Sequence, residues 1–188
     1  MREPSSFLYF KLFIGVIISS MKIMVISDLH NDVYATKKIL SLFDIGKYDK
    51  LYILGDILYD CIKLLNPIHE KIVAVKGNCD SMLEEETALF SMPIINYDYQ
   101  FGKVIVLTHG HYYDEFTITT PYDILITGHT HCSRIIKKNV NHLLLNPGSI
   151  SKPRDSHASY MTIDENEVKI IDLDSNKIIN SYKFKGDN

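Results

Sequence analysis

Five short polar motifs hold most of the side chains in this sequence that could bind a metal or move a proton, and each directly follows an apolar run. Asp28-Leu29-His30 follows residues 23–26, and Gly55-Asp56 follows 51–54. Gly77-Asn78-Cys79-Asp80 follows 72–75, Thr108-His109-Gly110-His111 follows 104–107, and Gly128-His129-Thr130-His131 follows 124–126. One Asp-x-His or one Gly-Asp is ordinary turn chemistry. Five such motifs in succession, holding five of the eight histidines, form a pattern that turns alone do not explain. The ligand inventory is two Asp, three or four His and one Asn, with no obvious thiolate. Carboxylate, amide oxygen and imidazole suit Mn, Fe, Zn or a similar first-row ion better than a Cys-rich structural zinc site or an all-oxygen calcium site. The set exceeds what one ion needs. Two ions about 3.5–4 Å apart, sharing a carboxylate, would use all of it, and such a pair favours in-line displacement at a phosphoester.

The elements that must position these motifs can be read from hydrophobic periodicity. From Lys22 to about Lys76, apolar runs alternate with helical spacing. Val33, Ala35, Ile39, Leu40 and Phe43 mark a helix with Asp32 as N-cap, and a short helix is expected to end at Leu65. Strand, helix, strand, helix, strand implies right-handed crossovers and a parallel sheet. Ligands of such sheets gather beyond the carboxyl ends of the strands, so the motif loops can converge on one crevice. After Phe90 the pattern changes to strands separated by Phe101-Gly102, Lys-Asn, Asp-Glu-Asn and Asp-Ser-Asn turns, which predicts a largely antiparallel C-terminal half. The fold class is therefore α/β, with two mixed β-sheets stacked face to face and flanked by helices.

The order of these motifs resembles the calcineurin-like metallophosphoesterase superfamily, most closely its YfcE-type phosphodiesterase branch. The resemblance covers Met21 to Phe184. It extends to Asn146-Pro147-Gly148-Ser149 followed by Lys152-Pro153-Arg154. It implies the metallo-dependent phosphatase fold and a centre of two divalent ions, Mn first, with Zn, Fe, Ni and Mg as alternatives. Asp28, His30 and His131 would hold one ion and Asn78, His109 and His129 the other, with Asp56 bridging. Asp56, Asn78 and His109 would be the catalytic residues. It further implies a phosphodiester hydrolase in which a metal-bridging hydroxide attacks phosphorus. Asn146–Ser149 would buttress the Gly128–His131 loop. Cys79, His111 and Arg154, with Lys152, are the candidate substrate contacts, and His111 could instead orient His109. Many superfamily members carry His where this sequence has Cys79. A thiol is a poor general acid, so esters with good leaving groups are favoured. A phosphomonoesterase, or a non-catalytic scaffold like the retromer subunit of this fold, are the competing readings.

Composition bounds the partners. With 20 basic and 23 acidic residues, a net charge of −3 and no basic run longer than Lys137-Lys138, no footprint for duplex nucleic acid is present. A small phosphodiester is the expected substrate, and a homo-oligomer is left open. Cys61, Cys79 and Cys132 form no CxxC, which fits a reducing, cytoplasmic compartment. The apolar run from Leu12 to Ile18 is too short to span a bilayer. Residues 1–20 therefore read as an extension or a misassigned start before a domain at 21–188. Cys61 and Cys132 are expected to pack, as are Tyr97–Tyr99 and Tyr112-Tyr113. His69, His142 and His157 belong to no motif.

Overall fold

The computed structural model describes residues 20–82, 87–139 and 142–184. The expected extension at 1–20 thus lies outside the described residues, except for Ser20. Strand β1 (Ile23–Ile26) leads to helix α1 (Val33–Ile45), β2 (Lys50–Ile53), α2 (Tyr59–Leu65) and, after a 3-10 segment at Asn66–Lys71, β3 (Ile72–Ala74). A second 3-10 turn covers Cys79–Met82, and then come β4 (Ile95–Gln100), β5 (Lys103–Thr108), β6 (Ile124–Ile126), β7 (Arg134–Lys137) and β8 (Leu143–Asn146). The chain closes with β9 (Ser159–Ile163), β10 (Glu167–Asp172) and β11 (Ile178–Lys183).

The strands form two sheets, ordered β11-β10-β9-β1-β2-β3 and β4-β5-β6-β8-β7. In the first sheet β1, β2 and β3 are parallel, as the alternating pattern predicts, and β9 joins β1 antiparallel. The C-terminal half is largely antiparallel as expected, at β9, β10, β11 and in the pairs β4–β5 and β7–β8, but the second sheet has a parallel centre that the sequence did not show. β5, β6 and β8 are parallel to one another, and only β4 and β7 at the edges run antiparallel. Hairpin-like turns mark chain reversals but do not say which strands pair, so a parallel core inside antiparallel edges leaves no local signature. The consequence bears on the site: six parallel strands, three per sheet, point their carboxyl ends toward one edge.

Alternating residues divide the packing. Val25, Leu54, Leu107, Ile126, Leu145 and Ile170 fill the space between the sheets. Met24, Ile26, Leu51 and Ile53 face the helices instead, meeting Ile39, Phe43, Ile62 and Leu65. In α1 the buried positions Ala35, Thr36, Ile39 and Phe43 recur at helical spacing, and the Asp32 carboxylate accepts the Ala35 amide at 2.9 Å, an N-cap. α2 has no cap of its own at Leu58. Asn31 supplies one from the loop after β1, accepting the Asp60 amide at 2.8 Å, and so ties that loop to the helix start. Both helices lie against the first sheet. The outer face of the second carries a small cluster of Val106, Leu125 and Leu144 under Ile118 and Tyr122. The tyrosine expectation fails here: Tyr97, Tyr99, Tyr112 and Tyr113 are exposed, because β4 is an edge strand and Tyr112-Tyr113 lie on the loop past β5.

Candidate metal centre

All five motifs meet at the carboxyl edge of the two sheets. The turns that bring them there are left-handed at the expected ligands themselves: Asp28, His30, Asp56, His129 and His131 all have φ between 45° and 64°. Asp, Asn and His tolerate this region better than other non-glycine residues, and such strain concentrates at functional sites. Neighbouring glycines serve close approach. A Cβ on Gly128 would collide with the Ser27 hydroxyl, and one on Gly77 with the Asp56 carboxylate.

Three ligand atoms, one each from Asp28, His30 and His131, lie within 4.8 Å of one another, and so do three from Asp28, Asp56 and His109. Asp56 faces both groups, with Oδ2 3.7 Å from His30 Nε2 and Oδ1 3.6 Å from His109 Nε2. Asn78 Oδ1 lies 3.1 Å from both His109 Nε2 and His129 Nδ1. The seven residues named from the sequence are therefore brought together. The structure adds an eighth group, because the Cys79 sulfur shares a cluster with His30 and Asp56, whereas the sequence offered no thiolate ligand.

The protonation pattern decides what these atoms want. His109 is fully buried, and burial pushes its pKa down to about 4, so near neutral pH it carries one ring proton. That proton sits on Nδ1, which donates to the Leu54 carbonyl at 2.5 Å and leaves Nε2 as a bare acceptor. Nε2 nonetheless faces two further acceptors, Asn78 Oδ1 and Asp56 Oδ1. His131 is held the same way, its Nδ1 donating to the Lys152 carbonyl at 2.6 Å while Nε2 faces Asp28 Oδ1 at 3.3 Å. Asp28 Oδ1 is buried with no hydrogen-bond partner. Its other oxygen accepts from the Ser27 hydroxyl at 2.7 Å and the His129 amide at 3.1 Å, and burial raises the carboxyl to about 6. His30 Nε2 meets His131 Nε2 at 3.2 Å, but the unpartnered Asp28 Oδ1 and the bare Nε2 of His109 still face other acceptors in a buried site, an arrangement that is unfavourable alone and complementary to divalent cations. The residues present fit such ions.

The remaining expected positions are placed as follows. His111 packs its ring 5.2 Å from that of His109 and 6.1 Å from that of His129, and its buried Nδ1 has no partner. Cys79 donates its backbone amide to Asp56 Oδ1 at 2.8 Å, and burial with the nearby Asp56 carboxylate pushes its thiol up to about 11. Arg154 and Lys152 reach the centre through backbone contacts to His131, and both side chains are exposed. Asn146 donates to the Gly128 carbonyl at 2.8 Å and to the Thr130 hydroxyl at 3.2 Å, which ties the turn after β8 to the loop after β6. His69 and His157 make local contacts, with the Asn66 carbonyl and the Asp172 carboxylate, and His142 bonds with Asn139, all away from the cluster.

Sequence reasoning gave no role to Asp80. It is fully buried and accepts the amides of Ile57 at 2.8 Å, Leu58 at 3.1 Å and Gly77 at 2.9 Å, clamping the Asp56 loop to the Asn78 loop. Its place three residues after Gly77 was the available signal. The Leu54 and Lys152 carbonyls that set the imidazole tautomers had none, since every residue carries one. Ser149 and Ser151 donate to the Asp28 carbonyl at 2.8 and 2.9 Å and fix the first motif from the far end of the chain.

Comparison with known proteins agrees with this geometry. Residues 21–167 match the family model of the calcineurin-like phosphoesterase superfamily domain. The chain is 33% identical over 179 residues to phosphodiesterase YfcE of Escherichia coli strain K12, covering 85% of this chain and 96% of that protein. The solved structure of the Escherichia coli YfcE phosphoesterase superposes with a TM-score of 0.82 at 28% identity, over 88% of this chain and all of the other. Vps29 of Entamoeba histolytica, solved in complex with zinc, shares the fold at a TM-score of 0.68 and 21% identity, over 88% of this chain and 100% of that one. Among the described residues no helix is long and apolar enough to cross a membrane. Acceptors gathered from five strand ends, the matched family model and the similarity to YfcE lead to one conclusion: the chain belongs to the calcineurin-like phosphoesterase superfamily.

Proposed function

We propose that this chain is a cytoplasmic phosphodiesterase whose domain spans residues 21–188 and whose centre takes two divalent ions, manganese before zinc, iron, nickel or magnesium. The observation that carries the reading is the inward-facing acceptor set, above all the unpartnered Asp28 Oδ1 and the bare Nε2 of His109. In this reading Asp28, His30 and His131 hold one ion, Asn78, His109 and His129 the other, and Asp56 reaches both. When bound, such a pair lowers the pKa of water and neutralises charge on the phosphoryl oxygens.

The chain's own groups do the rest. The Leu54 and Lys152 carbonyls hold His109 and His131 in the tautomer that presents Nε2, so no reorganisation is needed as charge develops. Asp28 and Asp56 supply negative charge that balances the cations. Burial chiefly, and the Lys152 ammonium with it, disfavour protonation of His30, and in this reading Lys152 adds positive charge for a phosphate to meet. In this reading Arg154 and His111 are further substrate contacts. Cys79, whose thiol is pushed up to about 11 in the metal-free fold, offers no strong general acid to the leaving group. The leaving group then departs without a good proton donor. This favours activated diesters such as aryl phosphodiesters over alkyl ones, and diesters over the more highly charged monoesters. A complete donor set speaks for an enzyme rather than a scaffold.

The test is hydrolysis of bis(p-nitrophenyl) phosphate and of p-nitrophenyl phosphate by protein stripped of metal and reloaded with each ion. Asp56→Ala and His131→Ala should lower diester turnover by at least about 10²–10³-fold. Undiminished turnover in metal-free buffer would refute the reading, and a clear preference for the monoester would shift it to a phosphomonoesterase.

A further inference from the structure

A cavity of about 250 Å³ lies on the outer face of the second sheet, on the opposite side from the inter-sheet packing. Its floor is Leu125 and Leu144, which belong to the outer cluster rather than to the one between the sheets. Phe116 stands at its side with 83% of its surface exposed, an aromatic ring with little to pack on. Thr127 and Thr130 also line it, and so does Arg134 from β7.

Arg134 is the unusual member. Its Nε is buried and has no hydrogen-bond partner, and none of the ion pairs among the described residues includes it. Leaving a buried guanidinium nitrogen unpaired is costly, and no acceptor among the described residues is bonded to this one. The two carboxylates nearby are already committed. Glu115 pairs with Lys138 at 3.0 Å, and Asp114 accepts the Phe116 and Thr117 amides and the Thr117 hydroxyl within its own turn. Arg134 is thus the cation of the lining that no carboxylate of the cavity pairs with.

We propose that this cavity is a binding site for a small aromatic oxyanion, distinct from the metal centre. The planar guanidinium and the two threonine hydroxyls would take the carboxylate or phosphonate oxygens, and Leu125, Leu144 and Phe116 would take the ring. An apolar pocket with a few convergent polar groups is the usual form of a small-molecule site. A planar fork that can engage two oxygens at once is the side chain best suited to such an anion. Gly110 and Gly128 also border the cavity, each one residue from an expected metal ligand, so an occupant would lie against the backs of both histidine loops.

The test is calorimetric titration of protein stripped of metal and dialysed free of chelator, so that the metal centre contributes nothing. The probes are benzoate, phenylphosphonate and, as the uncharged control, benzyl alcohol. At least one anion should bind saturably with a Kd of about 1 mM or below while the alcohol does not. The tighter of the two anions identifies the group as carboxylate or phosphonate. Arg134→Gln should weaken binding by at least about 10-fold, with an unchanged melting temperature and unchanged manganese stoichiometry. Leu144→Phe, which keeps the charge but fills the cavity, should weaken it as well. The proposal is overturned if neither anion binds, if the alcohol binds equally well, or if Arg134→Gln binds like the parent.

Discussion

Asp28→Asn should make the metal-free protein more stable while abolishing its response to metal. The Asp28 carboxyl is fully buried and held at about 6, against 3.8 for an ordinary aspartate, chiefly by burial. Its folded pKa lies above its unfolded one. Any stability it lends is therefore complete below pH 4, falls as the pH rises through 6, and is absent at pH 7.5. At about 1.4 kcal/mol per pKa unit, ionised Asp28 then costs the metal-free fold up to about 3 kcal/mol. Asparagine removes the charge and can keep the local bonds. Its oxygen can accept from Ser27 and the His129 amide, and its NH2 can donate to His131 Nε2, where Asp28 Oδ1 now lies at 3.3 Å. For a domain of this size each kcal/mol moves Tm by about 2–4 °C, so the metal-free variant should melt roughly 5–10 °C above the parent at pH 7.5. Differential scanning calorimetry with and without manganese reads both halves. The parent should gain Tm on adding the ion, and the variant should not. A variant that melts lower than the parent in metal-free buffer would show that the buried carboxylate carries no such cost, and the reasoning would fail.

Other expectations follow from the same contacts. His109 titrates near 4 in the fold against 6.5 in the open chain, so its contribution to stability is present above pH 6.5 and lost as pH falls toward 4. Between 4 and 6 this opposes the Asp28 effect, so urea unfolding of Asp28→Asn should weaken steadily below pH 6.5 while the parent stays flatter. Asp80→Ala strands two buried amides and a partly buried third and should cost about 3 kcal/mol or more in urea unfolding, with at least a 10-fold loss of manganese affinity by chelator competition. Gly128→Ala drives a methyl into the Ser27 hydroxyl and should cost about 1–3 kcal/mol in the same unfolding assay. Cys79→Ser should keep aryl diester turnover within about threefold, because the proposed mechanism assigns the attack to water and gives this sulfur no covalent role. Loss of activity by more than 100-fold would reopen covalent catalysis.

The site was legible in the sequence because its side chains follow apolar runs, and parallel strands deliver their loops to one edge. That rule made Asp28, Asp56, Asn78 and the paired histidines candidates, and the family resemblance assigned their roles. The pairing of β5, β6 and β8 could not, because strand direction in a sheet is settled by distant partners rather than by the turns next to each strand. The tautomer locks were hidden for a different reason. Leu54 and Lys152 act through backbone carbonyls, so their side-chain identities say nothing of the role. The left-handed turns at Asp28, His30, Asp56, His129 and His131 left no mark in the sequence, because Asp and His can enter that region without the glycine that usually signals it. Arg134 stood in a strand of alternating character, and only the assembled sheet shows that its nitrogen lacks a partner.

Diffraction from manganese-soaked crystals at the metal's absorption edge tests the centre most directly. The account predicts two anomalous peaks, one among Asp28, His30, His131 and Asp56, the other among Asp56, Asn78, His109 and His129. An empty map at the carboxyl edge of the sheets, or peaks only on surface carboxylates elsewhere, would contradict it.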